Sequence, residues 1–237
     1  MSNRHLLPSI VLAVGLLLAA TVFGLFFHHS RQAPRKVQVV GMATRAFDAD
    51  RLKWRLTLQT TAALDAVIAG QRRLRQSLEA LQALLAQKGL PQEALHPHPP
   101  GTFPVYDRNG QPSGYTLQQA VFVISDQLAT VEALAFDPAG LLEQGILIQN
   151  SELQYFYSQV DSLKKALLSD AALNARERAE ELLKNTDLRL GRLVGIRAGV
   201  FQITEPYSTE VSGAGVYNTS SRRKEIKVTA HAEFSLE

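Results

Sequence analysis

One stretch, Lys165 to Ile196, limits what this chain can fold into more than any other. It reads KALLSDAALNARERAEELLKNTDLRLGRLVGI. Wound as a helix, one face collects Leu167, Leu168, Ala171, Ala172, Ala175, Ala179, Leu182 and Leu183. The opposite face carries Asp170, Glu177, Glu180, Glu181 and Lys184. That 3.6-residue period predicts an amphipathic helix. The central ridge is Ala171, Ala175 and Ala179, so another layer can approach the helix closely. Leu190 to Ile196 then reads as a turn into a strand. A helix of this shape has to lie against a sheet or a second helix.

The remaining elements follow in order. Val37 to Gly41 reads as a brief strand ending at glycine. From Leu52 to Thr60, Leu52, Trp54, Leu56 and Leu58 alternate with polar residues, as in a half-buried strand. Ala62 to Lys88 is expected as a long helix with the stripe Leu64, Val67, Ile68, Leu74, Leu78, Leu81 and Leu85, stopped by Gly89 and Pro91. His96 to Gly114 reads as a proline-rich loop with a tight turn at Asn109-Gly110. Tyr115 to Ser125 is a strand, and Asp126 is placed to cap a short helix through Phe136. Ile146 to Tyr157 is a strand, with Leu153, Tyr155 and Tyr157 on one face. Ser158 or Asp161 is expected to cap the long helix described first. Leu193 to Ile203 is a strand, 205–221 a long loop, and Glu225 to Leu236 a closing alternating strand. The expected class is α+β: mostly antiparallel sheets with two long amphipathic helices and one shorter one. The order suggests a duplicated strand–helix–hairpin unit.

Leu6 to Phe27 is a run of 22 residues without a charge. A spanning helix needs about 20 apolar residues, and no small-x-small cleavage site follows, so an uncleaved anchor is favoured over a signal peptide. The expected division is an anchor and linker over 1–33 and a folded domain over 34–237. Arg31, Arg35 and Lys36 outweigh Arg4, and charge counting alone would keep the domain cytoplasmic.

Up to Lys36 the charged side chains are Arg4, Arg31, Arg35 and Lys36, all basic. Setting them aside reduces 25 basic and 22 acidic residues to 21 and 22. A near-neutral domain gives no electrostatic case for nucleic acid. The absence of cysteine excludes disulfides, thiolate metal sites and a cysteine nucleophile. Arg72, Arg73 and Arg75 lack interleaved aromatics and read as a solvated helix face. His96 and His98 have H-x-H spacing, but Pro97 and Pro99 argue against the strand that would align them, so no metal site is assigned. The chain contains no G-x-S-x-G elbow, H-E-x-x-H pair or phosphate-binding glycine loop. No catalytic, cofactor-binding or metal-binding residue is assigned, and no enzyme activity is expected.

Several pieces, in order, carry a resemblance: Val37-Gln38-Val39-Val40-Gly41, Gly114-Tyr115, Ala166-Leu167 through Ala175-Arg176-Glu177-Arg178-Ala179-Glu180 to Leu190-Gly191, and Val228-Thr229-Ala230-His231-Ala232-Glu233-Phe234. Together they resemble the SIMPL-domain family, also called DUF541, over about residues 36 to 237. Asn185-Thr186-Asp187 departs from the small residues and glycine usual there. The resemblance implies an envelope location, with large ring-like oligomers for some members, and no catalytic residues. The expectation is therefore a single-pass protein of the inner (cytoplasmic) membrane. It would be held in the bilayer through residues 6–27, with its domain in the periplasm, acting by homo-oligomerisation or by binding an envelope protein partner. A protein-binding signalling adaptor and an envelope hydrolase with an unrecognised site are the alternatives.

Overall fold

The computed structural model describes residues 6–30 and 35–237, with side chains described at 12–27 and 35–237. The helices are α1 (Leu6–Ser30), α2 (Val67–Gln87), α3 (Leu128–Ala135), α4 (Pro138–Glu143) and α5 (Val160–Leu183). The strands are β1 (Lys36–Asp48), β2 (Arg51–Ala62), β3 (Leu95–Pro97), β4 (Gly101–Tyr106), β5 (Pro112–Ser125), β6 (Ile148–Phe156), β7 (Leu190–Ala198), β8 (Gln202–Thr204), β9 (Val216–Tyr217) and β10 (Arg223–Leu236). One sheet has the order β3-β5-β2-β6, with β4 also on β5. The other runs β1-β10-β8-β9, with β7 also on β10. The short β8–β9 pair is parallel. The chain divides into two compact units. A terminal unit holds the described residues up to Gly41, Ala172–Arg197 and Ala230–Glu237, and a central unit holds Met42–Ala171 and Ala198–Thr229.

The central unit is built on β2. Its alternation puts Leu52, Trp54, Leu56 and Leu58 on one face, all completely buried. They form one core with Leu117, Val121 and Val123 of β5, Leu74, Leu81 and Leu85 of α2, and Leu128, Val131 and Leu134 of α3. Burying each such side chain contributes about 1.5–3 kcal/mol relative to leaving it in water. β2 pairs antiparallel with β5 from Leu52↔Ser125 to Ala62↔Tyr115, and with β6 on its other side. Gly70 lets α2 sit close to this sheet: a Cβ there would lie 2.9 Å from Ala62 Cβ and Leu117 Cδ1.

In the terminal unit, Ala175 and Ala179 of α5 are completely buried among Val39, Ala232 and Phe234, with Val37 and Leu190 packed alongside. The alanine ridge does there what its spacing predicts. In the central unit Ala171 and Leu167 are equally buried.

Several expectations need correction. The strand at Val37 does not end at Gly41 but continues to Asp48. α2 starts at Val67 rather than Ala62, because β2 holds the chain extended through Ala62. Leu64 therefore lies outside the helix, and Ile68, in its first turn, is 72% exposed instead of joining the buried stripe. The proline-rich segment is not a loop throughout: β3 pairs with β5 through Leu95↔Val123 and Pro97↔Val121, and β4 pairs through Gly101↔Gln118 to Tyr106↔Pro112. Proline is tolerated because these are edge strands. His98 N–H donates to Ala120 O at 2.9 Å, so alternation turns the donorless nitrogen of Pro97 away from the ladder. The turn at Asn109-Gly110 holds, with Gly110 at φ 74° and Asp107 N–H donating to Gln111 O at 2.8 Å.

Asp126 does not cap α3. Ser125 Oγ accepts from Gln127 N at 2.9 Å, and Asp126 pairs with Arg51 at 3.2 Å. Ser158 binds the Asp50 carboxylate through its N–H, at 2.7 Å, and its hydroxyl. α4 was not expected: Asp137 Oδ1 accepts from Gly140 N at 2.9 Å, and Pro138 sits in its first turn. The expected strand 193–203 is divided into β7 and β8, and β9 lies within the expected loop 205–221.

In α1, the hydroxyl of Thr21 donates to the Leu17 carbonyl, and the rings of Phe23 and Phe27 stack at 5.9 Å. Among the described residues, no helix is long and apolar enough to cross a membrane.

Candidate functional site

The side chains singled out in the sequence mostly find structural work. In the central unit His98 packs edge-on against Phe122, with ring centroids 4.8 Å apart, while His96 pairs with Phe122 through the β3–β5 ladder. Among the described residues, no group of three or more His, Asp or Glu is arranged to hold a metal ion. Arg73 donates from Nη2 to Thr61 O at 2.7 Å and so ties α2 to the end of β2. Tyr155 belongs to the core, whereas Tyr157 packs at a tilt against Phe47, with ring centroids 5.0 Å apart.

The terminal unit offers two surfaces. The first is a recess of about 690 Å3 lined by Gln38, Val40, Gly195, Arg197, His231 and Glu233 among others. Lys36 Nζ lies 2.6 Å from Glu233 Oε1, and Gln38 Nε2 donates to Oε2 at 3.5 Å. The Lys36 hydrogen bond holds the Glu233 carboxyl below its usual range against a smaller opposing effect of burial. A carboxylate already paired this way is poorly suited to accept a proton at neutral pH.

The second surface is made of strand edges. Leu236 N–H donates to Arg35 O at 2.9 Å, which fixes how β1 meets β10. Antiparallel alternation then turns the backbone groups of Gln38 and Val40 outward. Arg178 of α5 reaches this edge and donates from Nη1 to Val40 O at 2.9 Å. Beside it runs a groove of about 520 Å3 lined by Gln38, Val39, Val40, Arg178, Glu181 and Leu182, with Leu182 63% exposed. β7 lies on β10 and pairs with no other strand among the described residues. It is exposed from Arg192 onward, including Leu193 at 48%, Val194 at 47% and Ile196 at 50%.

One functional group in the central unit escaped the sequence reading. Lys224 is completely buried, and its Nζ donates to Asn218 O at 2.6 Å. Burial pushes its amine down to about 8, partly opposed by Glu205. Asn218 in turn donates from Nδ2 to Glu205 Oε2 at 2.6 Å and accepts at Oδ1 from Ser220 N at 2.9 Å. The lysine therefore pins the segment before β10. Its position on the inward register with Ile226 and Val228 was the available signal.

These features define an α+β domain with antiparallel-rich sheets. Residues 37–235 match SIMPL, a protein of unknown function (DUF541), and the chain belongs to that family. No curated protein matches it.

Proposed function

We propose that this chain is a membrane-anchored envelope protein, its domain facing the periplasm, that acts by self-assembly or partner binding. The observation that carries association is β7: a nine-residue strand presenting Leu193, Val194 and Ile196 to solvent on an unpaired edge. Strands of that kind are templates for pairing with another chain. Anchoring is supported by the uncharged run Leu6–Phe27 within α1. As a sequence, a run of that length matches the about 20 apolar residues that a spanning segment needs. The periplasmic orientation rests on the family and runs against the charges at Arg31, Arg35 and Lys36.

Size-exclusion chromatography with light scattering of the full chain in detergent tests the reading. A mass of several chains is expected; a monomer that captures no envelope protein overturns it. A phosphatase fused after Glu237 is expected to be active in a bacterial host. An inactive fusion beside an active cytoplasmic reporter reverses the orientation.

A further inference from the structure

The turn after β2 and the β4–β5 hairpin lie at the same end of the central sheet. Tyr115 pairs with Ala62 on one side and with Pro104 on the other. Ala66 and Arg73 on the α2 side line one recess of about 500 Å3 with Val105 and Ser113 of the hairpin. Gln71 Nε2 donates to Thr102 Oγ1 at 3.1 Å and ties α2 to β4. Large apolar side chains stand in solvent at this end: Leu64 is 50% exposed, Ile68 72%, Val105 41% and Tyr106 59%. One and two turns beyond Ile68, α2 adds Arg72 and Arg75, and the hairpin adds Arg108. All three are exposed, and none makes an ion pair among the described residues. The acidic side chains here are Asp65 and Asp107. Asp107 Oδ1 is taken up by the N–H groups of Asn109 at 2.8 Å and Gln111 at 2.9 Å.

We propose that this end of the central unit, the start of α2 with the β4–β5 hairpin, docks on the surface of an anionic lipid bilayer. This rests on the anchoring reading and adds a second contact to it. In the sequence, Arg72, Arg73 and Arg75 lack an aromatic neighbour; the fold brings Tyr106 to the same end. Arginine and tyrosine each join an apolar body to a polar tip, which suits the boundary between headgroups and acyl chains. Leu64, Ile68 and Val105 supply apolar side chains to enter that boundary. Arg72, Arg73, Arg75 and Arg108 outweigh Asp65 and Asp107, so the charge of this end is complementary to anionic headgroups. A bilayer receives apolar and cationic groups together without requiring a shaped partner surface. The tether also raises the effective concentration of the patch at the membrane, so a contact too weak to hold a free protein suffices.

Cysteine is absent from the chain, so one introduced residue carries one probe. Full-length Ile68→Cys, Tyr106→Cys and Tyr207→Cys are each labelled with a nitrobenzoxadiazole fluorophore and reconstituted into vesicles containing nitroxide-labelled lipid. Tyr207 is the control: it lies in the same unit, is 97% exposed and sits between Glu205 and Glu210. With phosphatidylglycerol in phosphatidylcholine, quenching is expected at Ile68 and Tyr106 and not at Tyr207. In phosphatidylcholine alone it is expected to fall to the Tyr207 level. Arg72→Glu with Arg75→Glu is expected to do the same at Ile68, with the far-UV circular dichroism unchanged. Raised salt is expected to do so without any substitution. If the chain floats with the vesicles after an alkaline wash while Ile68 is quenched no more than Tyr207, docking is wrong and anchoring stands. Quenching that is equal in both vesicle types, or that survives the charge reversal, overturns the proposal, because the arginines then do not select the surface. Shielding of the Ile68 probe from iodide in native membranes but not in vesicles gives the surface to a protein and overturns the lipid assignment. A chain that does not float overturns both readings.

Discussion

The two units bury their sheets in opposite ways. In the central unit, Trp54 and the leucines of β2 meet a leucine stripe on α2, and the core is thick. Its edges are also managed. β3 and β4 are short and carry Pro97 and Pro104, and β6 is met at Tyr155 N by Thr219 O at 2.7 Å. In the terminal unit, alanines set the helix close, and the buried cluster beneath it is Val39, Ala175, Ala179, Ala232 and Phe234. β7 is left bare, and the β1 edge is held at Val40 by a single arginine side chain. The difference teaches where each unit's free energy resides. Large side chains stabilise the first by removing apolar area from water, whereas the second leaves Leu193, Val194 and Ile196 of β7 in contact with it.

The sharpest way to break this comparison is to remove the largest buried side chain. Trp54 is completely buried and donates from Nε1 to Ser151 Oγ at 2.8 Å. Trp54→Ala should cost about 3–5 kcal/mol, through lost burial and the cavity left behind. Thermal unfolding of the full chain in detergent, followed by circular dichroism, measures it. A loss below about 1 kcal/mol would mean that the central core is looser than its burial indicates.

Alkaline titration probes the same unit by charge. The Lys224 amine sits at about 8 in the fold because of burial, against 10.5 for an exposed lysine. Below about pH 8 the amine is charged in both states and the fold bears the whole desolvation cost. Between about 8 and 10.5 the unfolded chain holds a proton that the folded chain has released, so stability rises with pH. The rise amounts to about 3 kcal/mol at most. Tyr155 acts in the opposite sense. Burial, then its hydrogen bond to Glu132, pushes its hydroxyl up to about 12. Between about 10 and 12 the unfolded phenol ionises first and stability falls. A maximum near pH 10 is expected in a urea series across pH. Lys224→Met should flatten the rising side and Tyr155→Phe the falling side. A rise that persists in Lys224→Met would assign it to another group.

What could be read in the sequence was whatever one element imposes on itself. The period of α5 and the alternation of β2 and β10 each name their buried face without reference to a neighbour. Errors came where a neighbour decides. Pro97 reads as a strand breaker until β3 is known to be an edge. Leu64 reads as helix stripe until β2 is found to hold the chain extended through Ala62. Lys224 lies just before the expected strand, and only its register with Ile226 places it inward. Most of all, Leu193, Val194 and Ile196 read as part of a strand, with nothing to say whether it is covered. Their exposure follows from strand order, a tertiary property that no local pattern carries. The candidate surface is made largely of outward backbone groups, which every residue type possesses, so composition gave no sign of it.

The smallest effects are expected on the helix that the terminal unit is built around. Ala175 is completely buried beside Val39, Ala232 and Phe234, while Glu177 on the other side of α5 is exposed. Ala175→Leu inserts three carbons into a close-packed layer, which typically costs about 1–3 kcal/mol. Leucine forms helix nearly as well as alanine, so propensity cannot account for such a loss. Glu177→Ala removes a solvated charge and should change stability by roughly 0.5 kcal/mol or less. Native-state hydrogen exchange separates the outcomes better than global melting, because it reads opening locally. In Ala175→Leu, protection is expected to fall at the amides of Val39 and Ala232 and to hold at those of Leu56 and Val121. If protection falls equally at all four, the units do not differ in how their stability is stored. If it falls at none, the ridge tolerates bulk, and the close approach of α5 is not what sets the thin core of the terminal unit.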